Sequence, residues 1–256
     1  LVEGWGLDVW ALNSYDVWMK ELGAEALDLD DPAPGKDFAN VKVPNPLALD
    51  AIWLHEAIAK ADVLISAPKM KCHATCGITL SIKNIFGCTP LPKYQLKRTD
   101  TYRSAMHQGN LGDRLPRILV DILKIRPIDF AVVDAISTID QGEGPWNDST
   151  PGIDIRTVRP GLLMAGRNPV ALDAVGTAIM GFDATAADYT TPFNSSANHI
   201  AIAAQQGLGT NRLDEIEVRG LSVAEARFPF TACPQARLDS ARQMHAALMR
   251  ARHSEA

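Results

Sequence analysis

The chain has 256 residues, 46% of them hydrophobic and 21% charged, an ordinary composition for a globular protein with a sizeable core. A net charge of −5 argues against general nucleic-acid binding, for which a basic face would be expected. No apolar run reaches the roughly 18 residues that suggest a membrane span, and four cysteines in a chain of this size do not read as a disulfide framework.

In chain order, Tyr15 to Leu22 reads as a helix capped by Gly23, and Ala24 to Leu29 as a strand. Asp30 to Asn45 is an exposed connection holding a short strand at Val41 to Val43. Apolar residues at Leu49, Ile52, Trp53, Ala57 and Ile58 predict a helix over 47–60. Ala61 to Ala67 is a short run with β-branched residues, a core strand ended by Pro68. Gly77 to Phe86 reads as a helix whose first amides attract anions, and 91–110 as a polar loop or lid. Leu111 to Ile125 is an amphipathic helix stopped near Pro127. Phe130 to Val133 is a buried strand ending in Asp134, and 135–154 is rich in turns. Strand 158–165, helix Pro169 to Met180 with proline in its first turn, helix 197–206, strand 216–218 and a peripheral C-terminal helix within 238–256 complete the pattern. Strands and helices alternate. The expected fold is therefore a single α/β domain, a three-layer, Rossmann-like sandwich around a mostly parallel or mixed central sheet.

The chemistry concentrates after the strand that ends at Ala67. Lys69, Lys71 and His73 follow at once, then Ser81, Lys83, Asn84, Phe86 and Gly87. In open α/β sheets, ligands bind beyond the carboxyl ends of strands, and lysines there suit an anion. Lys83 lies between Ile82 and Ile85, where an ammonium loses hydration and needs a partner. Cys72, His73, Cys76 and Cys88 match no paired zinc spacing and no close-spaced cluster run; they fit small buried residues as well. Asp134 and, between glycines 142 and 144, Glu143 are carboxylates suited to metal binding, proton transfer or simple turn geometry. Asn168 and Pro169 open a helix in which Asp173 lies one turn in, a position the helix dipole explains without function. His107 lies in the lid segment and His199 in a helix; His245 and His253 fall on the terminal helix and are set aside.

Taken in order, these elements resemble the domain-of-unknown-function family 362. Its members show a PKxKxH element, matched by Pro68, Lys69, Lys71 and His73, then an SxKNxFG element, matched by Ser81, Lys83, Asn84, Phe86 and Gly87. An Asp–EGxGP region follows, matched by Asp134, Glu143, Gly144 and Pro145. A DPVAxDAV element is matched from Pro169 to Val175 with Asn168 in place of aspartate, and Gly207 and Gly209 form a late turn. Ala135 stands where glycine is usual and Cys72 where a small polar residue is common. The resemblance spans roughly 28–220. Some relatives carry a ferredoxin-like module with an iron–sulphur cluster, for which this chain has no counterpart, and others an export leader.

Three functions follow as expectations. The first is an enzyme with a single metal ion (iron, manganese or zinc) held by His73, His107, Glu143, Asp173 and His199, an oxidoreductase rather than a hydrolase. The second is a metal-free acid/base enzyme using Lys83 or His73. The third is a non-catalytic ligand-binding or redox-partner module. In the enzyme readings Lys83, His73 and Glu143 are catalytic, and Lys69, Lys71, Asn84 and Gly144 bind a small anionic substrate. No nucleotide cofactor is expected, since no G-x-G-x-x-G follows a strand. A homo-oligomer stays open. The cytoplasm is favoured, with export open if a leader precedes Leu1.

Overall fold

The structure is a computed structural model, and it describes residues 2–3, 15–25, 27–29, 38–100, 102–142 and 155–233. Strand β1 (Val2–Glu3) pairs in parallel with β2 (Leu27–Asp28), and helix α1 (Tyr15–Leu22) lies between them in sequence, as its pattern predicts. Strands β3 (Phe38–Lys42) and β4 (Ala51–His55) form an antiparallel hairpin. The helix expected over 47–60 is thus confined to α2 (Glu56–Lys60). Ile52 and Leu54 alternate inward from half-buried Ala51 and Trp53, a period of two that the helical spacing of the same residues masks.

Next come β5 (Ile65–Ser66), β6 (Lys71–His73), β7 (Gly77–Thr79), α3 (Ser81–Asn84), a 3₁₀ turn at Ile85–Cys88 and α4 (Leu91–Tyr94). The helix expected over 77–86 is therefore a strand over its first three residues and helical only from Ser81. A second 3₁₀ turn, Ser104–His107, leads into α5 (Leu111–Ile125), where Leu115, Ile118, Leu119 and Ile122 form the buried stripe. Strand β8 (Phe130–Ala135) follows, then β9 (Thr138–Asp140), which pairs antiparallel with β10 (Arg156–Val158). Strand β11 (Leu162–Gly166) is separated from β10 at Gly161, whose φ of +71° breaks the single strand expected there. Helices α6 (Pro169–Ile179), α7 (His199–Gln205) and α8 (Val223–Ala226) complete the order. Residues 216–218, expected as a strand, join no sheet. Glu143, Gly144, Pro145 and the expected C-terminal helix lie outside the described residues.

The result is a mixed α/β fold spread over several small sheets. The largest among the described residues has the order β11-β8-β5, with β5 parallel and β11 antiparallel to β8. Pro68 cannot donate to a ladder, so β5 pauses; its carbonyl still accepts from Asp134 N–H (2.9 Å), and Met70 N–H donates to the Asp134 carbonyl (2.9 Å). One sheet face carries buried Ser66, Ala131, Val133 and Ala135, against which α3 and α6 pack. The other carries Ile65, Val132, Leu163 and Ala165 and is exposed or half-exposed. The three-layer layout expected from the alternation is not seen among the described residues. None of the described helices is long and apolar enough to cross a membrane.

Candidate functional site

The site is built on the β6–β7 hairpin. Lys71 pairs with Thr79 and His73 with Gly77. Residues two apart on a strand, and residues directly opposite across a pair, share a face. Lys71, His73 and Thr79 therefore stand on one face and Cys72 on the other. The His73 ring accepts at Nδ1 from the backbone N–H groups of Thr75 (3.1 Å) and Cys76 (3.2 Å). Nδ1 is thus the lone-pair nitrogen, and the neutral ring carries its proton on Nε2. Burial, then the charges of Lys83 and Lys71 and the nearby His107 and His199 rings, hold His73 well below the usual histidine range.

Gly77 is where this face meets the rest of the molecule. Its φ is +77°, and a Cβ there would lie 2.8 Å from both the Phe193 ring and the Pro192 carbonyl oxygen. Phe193 is fully buried on that face, and its ring meets His199 edge-on at 5.7 Å. His199 is the first residue of α7. Asn198 caps that helix, accepting from Ile200 N–H (3.0 Å) and Ala201 N–H (3.1 Å), and donates to the carbonyls of Ala184 and Ala186.

The segment before α7 is tied to α5 by a defect in that helix. Pro116 has no N–H, so the Gly112 carbonyl one turn earlier has no helical donor. Ala197 N–H supplies it at 3.0 Å. A Cβ on residue 112 would lie 2.3 Å from the Ser195 carbonyl oxygen, so only glycine permits the approach.

Lys83 enters from α3, with Nζ 4.9 Å from the centre of the Phe86 ring. Phe86 also meets His107 edge-on at 5.8 Å. His107 comes from the expected lid, which is fastened to the body: Trp53 N–H donates to Tyr94 Oη (2.7 Å), and Lys93 lies over the Trp53 ring at 4.5 Å. Buried Arg103 donates to the Thr89 and Gly87 carbonyls. His107 Nδ1 lies 2.8 Å from the Arg103 carbonyl, which can only accept. Its proton is therefore on Nδ1 and its basic nitrogen is Nε2, the reverse of His73.

Asp173 is placed differently from a ligand-facing carboxylate. It is fully buried and accepts from the backbone N–H groups of Ser81 (2.8 Å) and Ile82 (2.9 Å). The anion drawn to the start of α3 is thus a side chain from α6, capping it across the fold. Burial raises its carboxyl to about 7 against the lowering pull of those N–H groups.

Lys71 and His73 from β6, Lys83 from α3, His107 from the second 3₁₀ turn and His199 from α7 are therefore near one another, close enough for the other four to depress the basicity of His73. Lys69 is not part of this group. It is paired at the surface with Asp134 and donates to the Ser137 carbonyl (3.0 Å). Asn84 is exposed and donates to Ser66 Oγ (3.1 Å). Cys72 points to the Thr231 carbonyl (3.3 Å), and burial pushes its thiol well up, so it is no thiolate. Among the described residues, no three His, Cys, Asp or Glu side chains are placed to hold a metal ion. Sequence reasoning passed over Gly77, Phe193, Gly112 and Pro116. Only Pro116, a proline inside an amphipathic helix, carried a visible signal.

His199 gives the site a pH signature. Burial, then Lys83, lowers its pKa to about 3, against about 6.5 when unfolded. Below pH 6.5 the unfolded chain binds a proton that the folded one refuses, so this contribution to stability is present above 6.5 and lost as pH falls toward 3. Relative to His199→Leu, the wild type is expected to lose up to about 1.4 kcal/mol per pH unit in that window. Urea midpoints for both proteins at pH 7 and pH 5 check it; a constant difference would contradict the buried, neutral imidazole.

A mixed α/β scaffold with a cluster of lysine and histidine side chains next to a strand end is the class of protein these features define. The chain belongs to the family described as Domain of unknown function (DUF362), whose profile matches residues 3–178. It is also 34% identical over 151 residues to the thylakoid-associated protein sll1697 of Synechocystis sp., a match covering 59% of this chain and 39% of that protein. The chain thus spans about two fifths of that relative's length. No solved structure matches.

Proposed function

We propose that this chain is an enzyme acting on a small anionic substrate by acid/base chemistry, with Lys71 and Lys83 holding the anion. The observation that supports this is the complementary protonation of two imidazoles in one cationic cluster. His73 offers an Nε2–H donor, its Nδ1 being engaged by Thr75 and Cys76. His107 offers a basic Nε2, its Nδ1–H being held by the Arg103 carbonyl. A neutral imidazole N–H polarises a developing oxyanion without giving up its proton, while a second imidazole accepts one from carbon or oxygen. Glu143 and Gly144, from the same motif series, are proposed to complete the site.

Lys83→Met is expected to weaken binding of a dicarboxylate such as succinate by about 100-fold, the scale of truncating one partner of a desolvated charge pair. Isothermal titration calorimetry reads this directly. Unchanged affinity would remove Lys83 from the site, and binding without turnover across a panel of organic acids would favour a non-catalytic module.

One observation favours a second reading. An imidazole fixed through Nδ1–H to a carbonyl is the arrangement that presents Nε2 to a metal ion. With Glu143 as a further ligand, His107 would then hold iron, manganese or zinc, while His73, with Nδ1 engaged by backbone N–H groups and its proton on Nε2, would ligate only after losing that proton; a redox-active ion would make the protein an oxidoreductase. Elemental analysis of protein purified without chelator, beside His107→Ala, separates the two. Stoichiometric metal lost in the variant supports this reading, and its absence from both removes it.

A further inference from the structure

The edge of the three-stranded sheet opens onto a cleft of about 430 Å³ that shares no residue with the lysine and histidine cluster. Strand β11 forms one wall along its whole length and residues 216–221 form the other, while Leu172, Val175 and Ile179 line the cleft from α6.

Strand β11 has one partner, β8. Successive residues of a strand turn their N–H and C=O groups to opposite edges. In β8, Asp134 turns both toward β5, to Pro68 and Met70. Val133 and Ala135 therefore face β11, in register with Met164 and Leu162. The N–H and C=O groups of Leu163 and Ala165 then point away from β8, along the outer edge. Among the described residues, no hydrogen bond reaches them on that edge, nor the backbone of Glu217, Val218 and Arg219 on the opposite wall.

Native sheet edges are blunted by charge, proline or cover. β11 reads Leu-Leu-Met-Ala-Gly, with no charge or proline of its own. Leu163 is 64% exposed, and Val218 and Leu221 across the cleft are exposed as well. Alternating donors and acceptors beside apolar side chains match another peptide backbone. The charge of the cleft narrows the match. Arg219 is paired with Glu217 at 2.9 Å, whereas Arg167, just past β11, has no ion pair or hydrogen bond among the described residues. A second copy of β11 would bring no carboxylate and another Arg167, so a segment of a different protein fits better.

We propose that this cleft binds an extended, acidic segment of a partner protein, which adds to β11 as a further strand with apolar residues at alternate positions and a carboxylate beside Arg167. The site lies outside the acid/base cluster, and its test needs no turnover.

Fluorescence anisotropy of the full chain with labelled hexapeptides of alternating valine and threonine tests this. The set carries glutamate or lysine at either end, with versions N-methylated at one or the other alternate set of peptide nitrogens. A glutamate peptide is expected to bind about fivefold tighter than its lysine counterpart, the scale of one exposed ion pair, and Arg167→Glu to reverse that preference. N-methylation of at least one alternate set should weaken binding about tenfold, the scale of a lost ladder bond. Ala165→Pro removes an outward N–H, which edge strands tolerate, and should weaken the same peptide. No binding by any peptide up to about 1 mM overturns the site. Binding indifferent to N-methylation overturns strand addition. A glutamate preference that survives Arg167→Glu overturns the charge assignment. A dimer in sedimentation velocity that Ala165→Pro disperses gives the edge to a second copy, against the proposal. The wild-type peptide comparison is decisive by itself if Ala165→Pro fails to fold.

Discussion

Asp173→Ala is expected to lower the unfolding free energy by about 4 kcal/mol, because it leaves two buried backbone N–H groups, each about 1–3 kcal/mol, without an acceptor. These are the N–H groups of Ser81 and Ile82, at the start of the helix that carries Lys83. Total stabilities of about 5–15 kcal/mol make this a large fraction. A reduced urea midpoint at unchanged slope would report it. Asp173→Asn isolates the charge. The carboxyl titrates at about 7 when folded, and its unfolded value is about 3.9. Between these values the folded state binds the extra proton. The contribution is therefore fully present below about pH 4 and is lost as pH rises to 7. The wild type should gain on Asp173→Asn as pH falls from 7 to 4, by at most about 1.4 kcal/mol per unit. That is opposite in sign to the His199 effect. A gap between the two proteins that does not change with pH would show the carboxylate to be ionised throughout.

Gly112→Ala is expected to damage the site from outside it. The added methyl would lie 2.3 Å from the Ser195 carbonyl oxygen and 3.2 Å from the Tyr189 ring. Backbone has to move, at a cost of about 1–3 kcal/mol for overpacking, and the bond from Ala197 to the Gly112 carbonyl breaks with it. His199 follows two residues later, so ligand affinity should fall along with stability. Pro116→Ala offers the contrast. It adds no bulk at the contact but supplies a helical N–H that competes for the Gly112 carbonyl, so it should weaken binding with little change in stability. Thermal unfolding and calorimetry on the same two variants check both statements; normal affinity in Gly112→Ala would show that the 195–197 contact does not position His199.

Long helices were the most legible part of the fold. The amphipathic stripe of 111–125 and the Asn168–Pro169 start of α6 predict their bounds within a residue. Short strands were not. A strand of three residues such as Lys71–His73 or Gly77–Thr79 is too brief to display a period, and the run after Thr79 hides the change to helix. The Ile52–Trp53 region fits both periods, and pairing with β3 decides it. Val63 and Ile65 read as core from their residue types, yet both are exposed, because only one face of their sheet is covered by the described helices.

Within the site, the motif residues Lys71, His73 and Lys83 do converge. Lys69 departs because alternation along 63–70 sends it to the outer face, beside Asp134. The role of Asp173 could not be read locally, since its partners are 91 and 92 residues away. His199 stands in the expected metal set only through its residue type and its predicted helix. Its significance lies in what surrounds it, which only the packing of Phe193 on Gly77 reveals.

The cap across the fold has a consequence for the newborn chain. A four-residue helix has no stability of its own, and the carboxylate that completes it is made 92 residues later. At about 5–20 residues per second, synthesis leaves the Lys83 segment waiting on the order of 5–20 s for Asp173. For that interval the chain carries Lys71, His73 and Lys83 with none of the geometry that gathers them. Its apolar neighbours Ile82, Ile85 and Phe86 stay open to whatever binds emerging chains first.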